Sequence, residues 1–162
     1  MSGELTVRRA GPEDAELLRD VLARAFAEYE GALDPPSGVL AETAGSLREK
    51  VARGGALVCE GADGALGCAL YMPEADHLYV GRVGVVPEGR RGGAGAALLR
   101  AAERRALELG YGRVRLNVRL ALGRLRAYYE SRGYRPIACH AHEGSPEPTY
   151  VEMEKVLPAG GG

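Results

Sequence analysis

The residues with the clearest chemical potential lie where a strand ending near Val86 leads into a helix beginning near Ala94. Between them stands the turn Arg90-Arg91-Gly92-Gly93-Ala94-Gly95. The first N–H groups of a helix have no intrahelical partners and carry the positive end of the helix dipole. Glycines let an anion approach this backbone closely, and the two arginines add full positive charges. The stretch therefore predicts a phosphate-binding turn.

Other interpretations of this turn are open. Glycine-rich turns between a strand and a helix also occur for packing alone. A dinucleotide fingerprint fits poorly, because Gly93-Ala94-Gly95-Ala96-Ala97-Leu98 lacks the third glycine and lies in the middle of the chain. A Walker loop needs Gly-Lys followed by Ser or Thr, and the turn has no such sequence. The basic pair favours a small anionic ligand.

The composition bounds the class of protein. A chain of 162 residues, 46% hydrophobic and 27% charged, predicts one globular domain. The 21 lysines and arginines stand against 22 aspartates and glutamates, and this net charge of −1 argues against a general nucleic-acid binder. No apolar run approaches a membrane span and no leader pattern opens the chain. We therefore expect a cytoplasmic protein with no membrane partner.

The cysteines and histidines do not form a metal-binding pattern. Cys59, Cys68 and Cys139 show no C-x-x-C spacing, so we expect buried, reduced thiols. His140 and His142 point to one face of a predicted strand, but no further ligand has the spacing of a zinc site. We expect no metal.

Hydrophobic periodicity predicts the elements that position the turn, in the order β-α-α-β-β-β-α-β-α-β-β. The predicted strands cover residues 5–9, 56–60, 65–72, 77–86, 113–118, 134–142 and 149–157. The predicted helices cover residues 12–29, 40–51, 94–109 and 121–132. Leu122, Leu125 and Tyr129 share one face of the last helix.

Three motifs in this order carry a resemblance to a known family. The turn, read as Arg, two residues, Gly, one residue and Gly, follows the fourth strand. Tyr129-Glu130-Ser131-Arg132-Gly133-Tyr134 forms a tyrosine-x-x-x-glycine-aromatic stretch, and Val151 to Leu157 forms a last strand. Together these features resemble the GNAT N-acetyltransferase superfamily, whose acetyl-CoA signature has the spacing of the turn.

The resemblance implies a fold and an activity. The fold is α/β, a GNAT-like mixed, mostly antiparallel twisted sheet of about seven strands with four helices on both faces. We expect a single domain over residues 1–157 and a flexible tail over residues 158–162. The implied activity is an acetyl-CoA-dependent N-acetyltransferase, in which an amine of a small molecule, peptide or protein attacks the thioester directly.

By the same resemblance, acetyl-CoA is the co-substrate, and its pyrophosphate binds N–H groups from about Arg91 to Ala96. The backbone of Val83 and Val85 pairs with the pantetheine arm, and an N–H there polarises the thioester carbonyl. Gly84 would ease a local bulge. The predicted cofactor-binding residues are Val83, Gly84, Val85, Arg90, Arg91, Gly92, Gly93, Ala94, Gly95 and Ala96.

Tyr129 is the predicted general acid, because it aligns with the family's tyrosine and a phenol can protonate a departing thiolate. A core aromatic is the alternative interpretation, and Tyr128 is a neighbouring candidate. The chain departs from the family at two points. Leu122 and Leu125 stand where many relatives carry an asparagine, and no carboxylate occurs between residues 78 and 86. The general base stays open among His77, Tyr79, Glu28, Glu30 and a distant carboxylate.

Family architecture places the acceptor between the first two helices, the strand near residues 77–86 and the last hairpin. Arg82 stands out there, because a cation in an apolar strand needs a partner, either a substrate carboxylate or an internal glutamate. Glu30, Arg119 and Tyr150 lie in the same regions. The predicted substrate residues are Tyr29, Tyr79, Arg82 and His142.

A second function from another class stays open. The missing strand carboxylate and the two leucines fit a catalytically weak GNAT-fold domain that binds an acyl-CoA as a sensor or interaction module. Tyr129 and the complete turn favour the enzyme. The acceptor amine is not named by the sequence, and a homodimer is left open.

Overall fold

The computed structural model describes residues 4–158, so the predicted tail lies outside the described residues except for Pro158. The strands are β1 (Thr6–Ala10), β2 (Gly55–Gly61), β3 (Gly64–Pro73), β4 (Leu78–Val85), β5 (Arg113–Arg119), β6 (Arg135–His140) and β7 (Tyr150–Val156). The helices are α1 (Ala15–Phe26), α2 (Ala44–Arg53), α3 (Ala94–Glu108) and α4 (Gly123–Ser131). Within residues 4–158, no helix has the length and apolar character needed to cross a membrane.

The seven strands form one sheet in the order β1-β2-β3-β4-β5-β7-β6. Every neighbouring pair is antiparallel except β4 and β5, which run parallel. The predicted mixed, mostly antiparallel sheet with four helices is therefore confirmed. The parallel pair is brief, because only Leu78 opposite Val114 and Tyr79 opposite Arg115 are in register. Beyond Tyr79 the two strands separate and leave a gap in the sheet.

Alternate residues of the central strands pack on opposite faces of the sheet. On β3, Ala69 and Tyr71 join the core under α3, while Cys68 and Leu70 join the core under α1 and α2. This two-residue period is what an extended strand imposes on its side chains. Both faces of β2 and β3 are thus covered, and the predicted placement of helices on both faces is confirmed.

Some local expectations are wrong, and each has a local cause. Leu40 lies in a short 3-10 turn before α2, because the Thr43 and Ser46 side chains cap α2 reciprocally and fix its start at Ala44. Cys139 is exposed, whereas Cys59 and Cys68 are buried as expected. On α4, Tyr129 is buried, whereas Leu125, predicted to lie on the same helix face, is 36% exposed.

Candidate active site

Two clefts open beside the gap between β4 and β5. We call the first the basic cleft; its volume is about 590 Å³, and Arg90, Arg91, Arg124 and Arg132 line it. We call the second the tyrosine cleft; its volume is about 330 Å³, and Tyr79, Tyr129 and Tyr150 line it. Phe26, Val83 and Tyr129 line both clefts, so the two meet at these side chains.

A bulge in β4 shapes the meeting point. Cys68 of β3 pairs with Gly84 and Leu70 pairs with Gly81, so two β4 residues stand opposite one β3 residue. Arg82 is one of these two, and its backbone has a φ of 50°, in the left-handed region that side chains rarely adopt. A bulge bends its strand and re-aims the neighbouring side chains. The predicted bulge is present, but its strained residue is Arg82 and not Gly84.

Gly84 has a different task. A Cβ atom at this position would lie 3.0 Å from the Cβ of Ala25 and 3.1 Å from Cε1 of Phe26. The missing side chain therefore lets α1 pack closely against β4. This contact places Phe26 at the junction of the two clefts.

The turn before α3 presents free donors to the basic cleft. Gly93 has a φ of 90° and precedes the helix, and the N–H of Ala97 donates the first intrahelical bond to its carbonyl, at 2.9 Å. Within residues 4–158, no backbone carbonyl accepts a bond from the N–H groups of Ala94, Gly95 or Ala96. Such a helix start attracts anions.

Most predicted cofactor residues come together at the basic cleft. The cleft is lined by Val83, Gly84, Val85, Arg90, Arg91, Gly93, Gly95 and Ala96. Gly92 does not line it, and the Ala94 side chain is buried in the core. Tyr29, predicted to contact the acceptor, lines the basic cleft and not the tyrosine cleft.

The arginines of the basic cleft have unequal freedom. Arg90 is held by three contacts: Nη1 pairs with Glu28 at 2.5 Å, Nη2 donates to the Ala25 carbonyl at 2.8 Å, and Nε donates to the Val85 carbonyl at 3.1 Å. These bonds tie the turn to the end of α1. Arg91 is exposed and has no ion-pair partner in the described part of the chain. Its charge is thus available to a ligand.

The sequence prediction missed two arginines of this cleft. Arg124 lies in the first turn of α4 and Arg132 directly follows its last residue, and the Arg132 guanidinium lies 5.3 Å from the ring centroid of Tyr128. Their separation of eight residues places both on one face of a helix. That spacing is the signal that could have found them.

Tyr129 is held rigidly at the junction. Its ring packs edge-to-face against Tyr128 at 5.6 Å and Tyr134 at 5.8 Å, and 6% of the residue is exposed. Burial raises the pKa of Tyr129 well above its usual range, so the phenol stays protonated at neutral pH. The Tyr134 hydroxyl instead donates to Glu103 at 2.9 Å. Tyr129 lines both clefts, whereas Tyr128, the neighbouring candidate, lines the basic cleft and not the tyrosine cleft.

The tyrosine cleft contains a neutral proton acceptor. The backbone N–H of His142 donates to Thr149 Oγ1 at 3.0 Å, its Nδ1 contacts the same oxygen, and its ring packs on Tyr150 at 5.0 Å. Burial and the nearby charge of Arg119 lower the pKa of His142. The imidazole is therefore neutral at pH 7 and can accept a proton.

The other candidate bases lie elsewhere. His77 pairs with Asp76 at 2.8 Å and lines neither cleft. Glu28 pairs with Arg90 in the basic cleft, and Glu30 lines neither of the two clefts. Tyr79 lines the tyrosine cleft, where its hydroxyl accepts a bond from Asn117 Nδ2 at 3.4 Å. Burial raises the pKa of Tyr79, which makes it a poor base at neutral pH.

Arg82 has an internal partner. Its Nε donates to Glu42 Oε2 at 2.7 Å, and Glu42 also contacts Lys50 and accepts a bond from Ser46 at 2.5 Å. Of the two predicted partners for Arg82, the structure contains the glutamate. No group of three or more potential ligands among residues 4–158 is arranged to hold a metal ion.

Comparisons with known proteins agree with this geometry. A family model described as the acetyltransferase (GNAT) family matches residues 16–134, whereas no curated protein matches the chain. The structure is similar to PaiA N-acetyltransferase from Thermoplasma acidophilum in complex with coenzyme A, at 17% identity over 95% of this chain and 99% of that chain, with a TM-score of 0.77.

Two further structures share the fold. Ard1 from Thermoplasma volcanium is 19% identical over 95% of this chain and 98% of that chain, with a TM-score of 0.77. The ribosomal-protein-S18-alanine N-acetyltransferase from Escherichia coli is 18% identical over 98% of this chain and 97% of that chain, also with a TM-score of 0.77. Likeness at these identities shows the fold.

Proposed function

This chain belongs to the GNAT acetyltransferase family, and we propose that it moves an acetyl group from acetyl-CoA to an amine. One observation carries the proposal: Tyr129 lines a basic cleft on one side and a second cleft on the other. A group-transfer enzyme needs two such sites that meet at a proton donor. The basic cleft would hold the coenzyme, and the tyrosine cleft would hold the acceptor.

The residues of the basic cleft fit an anionic coenzyme. Free N–H groups at Gly95 and Ala96, two residues that line the cleft, suit a pyrophosphate, and Arg91, Arg124 and Arg132 supply charge around it. A Cβ atom at Gly95 would have ordinary contacts of 3.7 Å with the protein, so its absence leaves room for a ligand. The backbone from Val83 to Val85 lines the inner end, where a pantetheine arm would lie.

Bound acetyl-CoA would supply the acetyl thioester, whose C–S bond breaks as the amine nitrogen bonds to the carbonyl carbon. The Tyr129 hydroxyl donates the proton that the leaving sulfur needs. The amine gives up one proton, and His142 accepts it directly or through a water molecule. The products are the N-acetyl amine and the free thiol, so protons balance once Tyr129 and His142 exchange them with solvent.

A sensor or interaction module is the second candidate. It is favoured by one observation: within residues 4–158, no carboxylate lines the tyrosine cleft. Such a module would bind acetyl-CoA and release no thiol with any amine. The module and the enzyme would therefore both bind acetyl-CoA, but only the enzyme would turn it over.

The test is release of CoA thiol from acetyl-CoA against a panel of amines, with the variant Tyr129→Phe. We expect turnover to fall by about 10²-fold while the calorimetric Kd of acetyl-CoA stays within about twofold. Tyr111→Phe is the matched control, because the Tyr111 hydroxyl donates to the Glu74 carbonyl away from both clefts. Unchanged turnover in Tyr129→Phe removes this residue from the mechanism, and binding without turnover on every amine supports the module.

A further inference from the structure

The tyrosine cleft has an unusual charge for a site that receives amines. Its charged lining residues are Arg82 and Arg119, and within residues 4–158 no aspartate or glutamate lines it. A cleft for a polycation such as a diamine would need carboxylates to pair with the second charge. The described lining repels a second positive charge and attracts a negative one.

The Arg82 end of the cleft retains a positive charge. Glu42 is nearly fully buried, and its carboxylate faces two cations, Arg82 and Lys50. One negative charge thus meets two positive ones, and the cluster keeps a surplus of +1. The Arg82 guanidinium bonds Glu42 through Nε, which leaves its two Nη groups near Gly38 at the cleft wall.

Arg119 is the less compensated cation. It ends β5, is half-buried, and has no carboxylate within ion-pair distance in the described part of the chain. Its Nη2 donates to the Pro36 carbonyl at 3.0 Å, which uses one of the five N–H donors of a guanidinium. Asp34 is the acidic group whose charge acts on the pKa of Arg119, and its side chain is exposed. The remaining donors suit the two oxygens of a carboxylate or a phosphate.

Arg119 lies away from the junction of the two clefts. Arg119 lines the tyrosine cleft and not the basic cleft, whereas Val83 and Tyr129 line both. An acceptor whose amine reaches the junction would therefore place its other end toward Arg119. The Arg119–Pro36 bond also ties β5 to the loop that walls the cleft, and a volume of about 330 Å³ suits a small molecule.

We propose that the acceptor is a small amine that also carries an anionic group, a carboxylate or a phosphate, which Arg119 binds and orients. This inference rests on the proposed function, because it names the substrate class of the same site. The bond to Arg119 fixes the molecule so that its amine, and not its acid, meets the thioester.

The test compares pairs of acceptors in which one member carries an anionic group and the other does not. L-Leucine is paired with L-leucinamide, and phosphoethanolamine is paired with ethanolamine. The variants are Arg119→Gln and Arg119→Lys, with Arg135→Gln as the control, because Arg135 is an exposed arginine of β6 that lines neither cleft. KM is compared before kcat, because the amide also changes the basicity of the amine.

We expect the anionic member of at least one pair to have a KM about tenfold lower. Arg119→Gln should bring the ratio of the two KM values close to one, because it removes the bond to the anion, while Arg119→Lys restores part of the difference and Arg135→Gln has no effect. The pair that shows the advantage decides between carboxylate and phosphate. Equal KM values within both pairs, or an equal loss for both members in Arg119→Gln, overturn the proposal.

Binding separates this inference from the proposed function. N-acetyl-L-leucine and its amide, and O-phosphoethanolamine and ethanolamine, are titrated calorimetrically into the protein saturated with CoA. If an anionic ligand binds, and binds about tenfold more weakly to Arg119→Gln, the inference is supported even where no amine is acetylated. The absence of acetylation would contradict the proposed enzyme activity alone. Turnover of uncharged amines without any preference for the anion supports the enzyme and contradicts the inference.

Discussion

The basic cleft and the tyrosine cleft are built in opposite ways. The inner part of the basic cleft comes from one continuous stretch, Val83 to Ala96, and uses free backbone N–H groups at the start of α3. The tyrosine cleft is assembled from separate segments, and its polar lining includes the side chains of Tyr79, Arg119 and His142. Under the proposed function, the backbone donors would bind the coenzyme that acetyltransferases share, whereas the separate side chains of the tyrosine cleft can vary with the acceptor.

A side chain that fills the basic cleft should have the largest effect, because it should block binding of acetyl-CoA. In Gly95→Leu a side chain enters the space beside the free N–H groups. The protein has room for it, because a Cβ atom at Gly95 would lie 3.7 Å from its nearest neighbours, Tyr128 and Val85. Losing two charge-assisted bonds of about 2 kcal/mol each raises the Kd of acetyl-CoA by about 10³-fold. Calorimetric titration measures the Kd, and thermal unfolding checks the fold.

Gly123→Leu is the control for this change, because Gly123 opens α4 with no heavy atom near its Cβ position. If Gly95→Leu binds acetyl-CoA as the wild type does, the start of α3 is not the coenzyme site. In that case backbone N–H groups do not recognise the coenzyme, and the two clefts do not differ in the way described above.

Replacing His142 should affect the tyrosine cleft alone. His142→Gln removes the proposed proton acceptor, and we expect kcat/KM at pH 7 to fall by about 10²-fold with an unchanged Kd for acetyl-CoA. His142 must be neutral to act, so the wild-type rate should fall as pH decreases through its pKa, which lies below the ordinary 6.5. The variant should lack this limb of the pH profile.

Within residues 4–158, the groups that face His142 are Arg119, Thr149 and Tyr150, and Arg119 is the one that carries a charge. His140→Gln is the matched control, because His140 also packs on Tyr150 but pairs with Glu152 and lines neither cleft. An acidic limb that persists in His142→Gln assigns the titration to another group.

Glu42→Gln should give the smallest effect on activity and a measurable effect on stability. Burial opposes ionisation of Glu42, but bonds from Lys50, Ser46 and Arg82 outweigh it and lower its pKa. We expect a loss of about 1–3 kcal/mol of unfolding free energy at pH 7. Acceptor KM should change by a few-fold at most, because Arg82 is released while Arg119 is untouched. Denaturant titration and steady-state kinetics measure the two quantities.

The pH dependence has a definite sign. A lowered folded-state pKa stabilises the protein at pH values above the ordinary glutamate value of about 4.3 and ceases to do so as pH falls through the folded value. The difference between the wild type and Glu42→Gln should therefore shrink in acid. Glu49→Gln, at an exposed position of α2, is the control and should show no difference at either pH.

The sequence predicted the helices and strands well. Hydrophobic periodicity and turn glycines are local signals that are read from residues close together in the sequence. The seven strands, the four helices and the start of α3 could therefore be found without coordinates. The partner of Arg82 could not be chosen, because Glu42 is 40 positions away. The bulge was expected at Gly84, but Gly84 packs against α1 and the bulge residue with a positive φ is Arg82.

By itself, the sequence determined that a helix begins at Ala94 after a basic glycine turn, because backbone geometry near a turn is fixed by the residues within it. Only the tertiary structure decided the charge of the tyrosine cleft. Arg119 meets the carbonyl of Pro36 across 83 positions, and which carboxylates reach a cleft depends on distant segments that meet on folding. The gap between β4 and β5, where Tyr129 joins both clefts, is likewise a property of the sheet and not of any one strand.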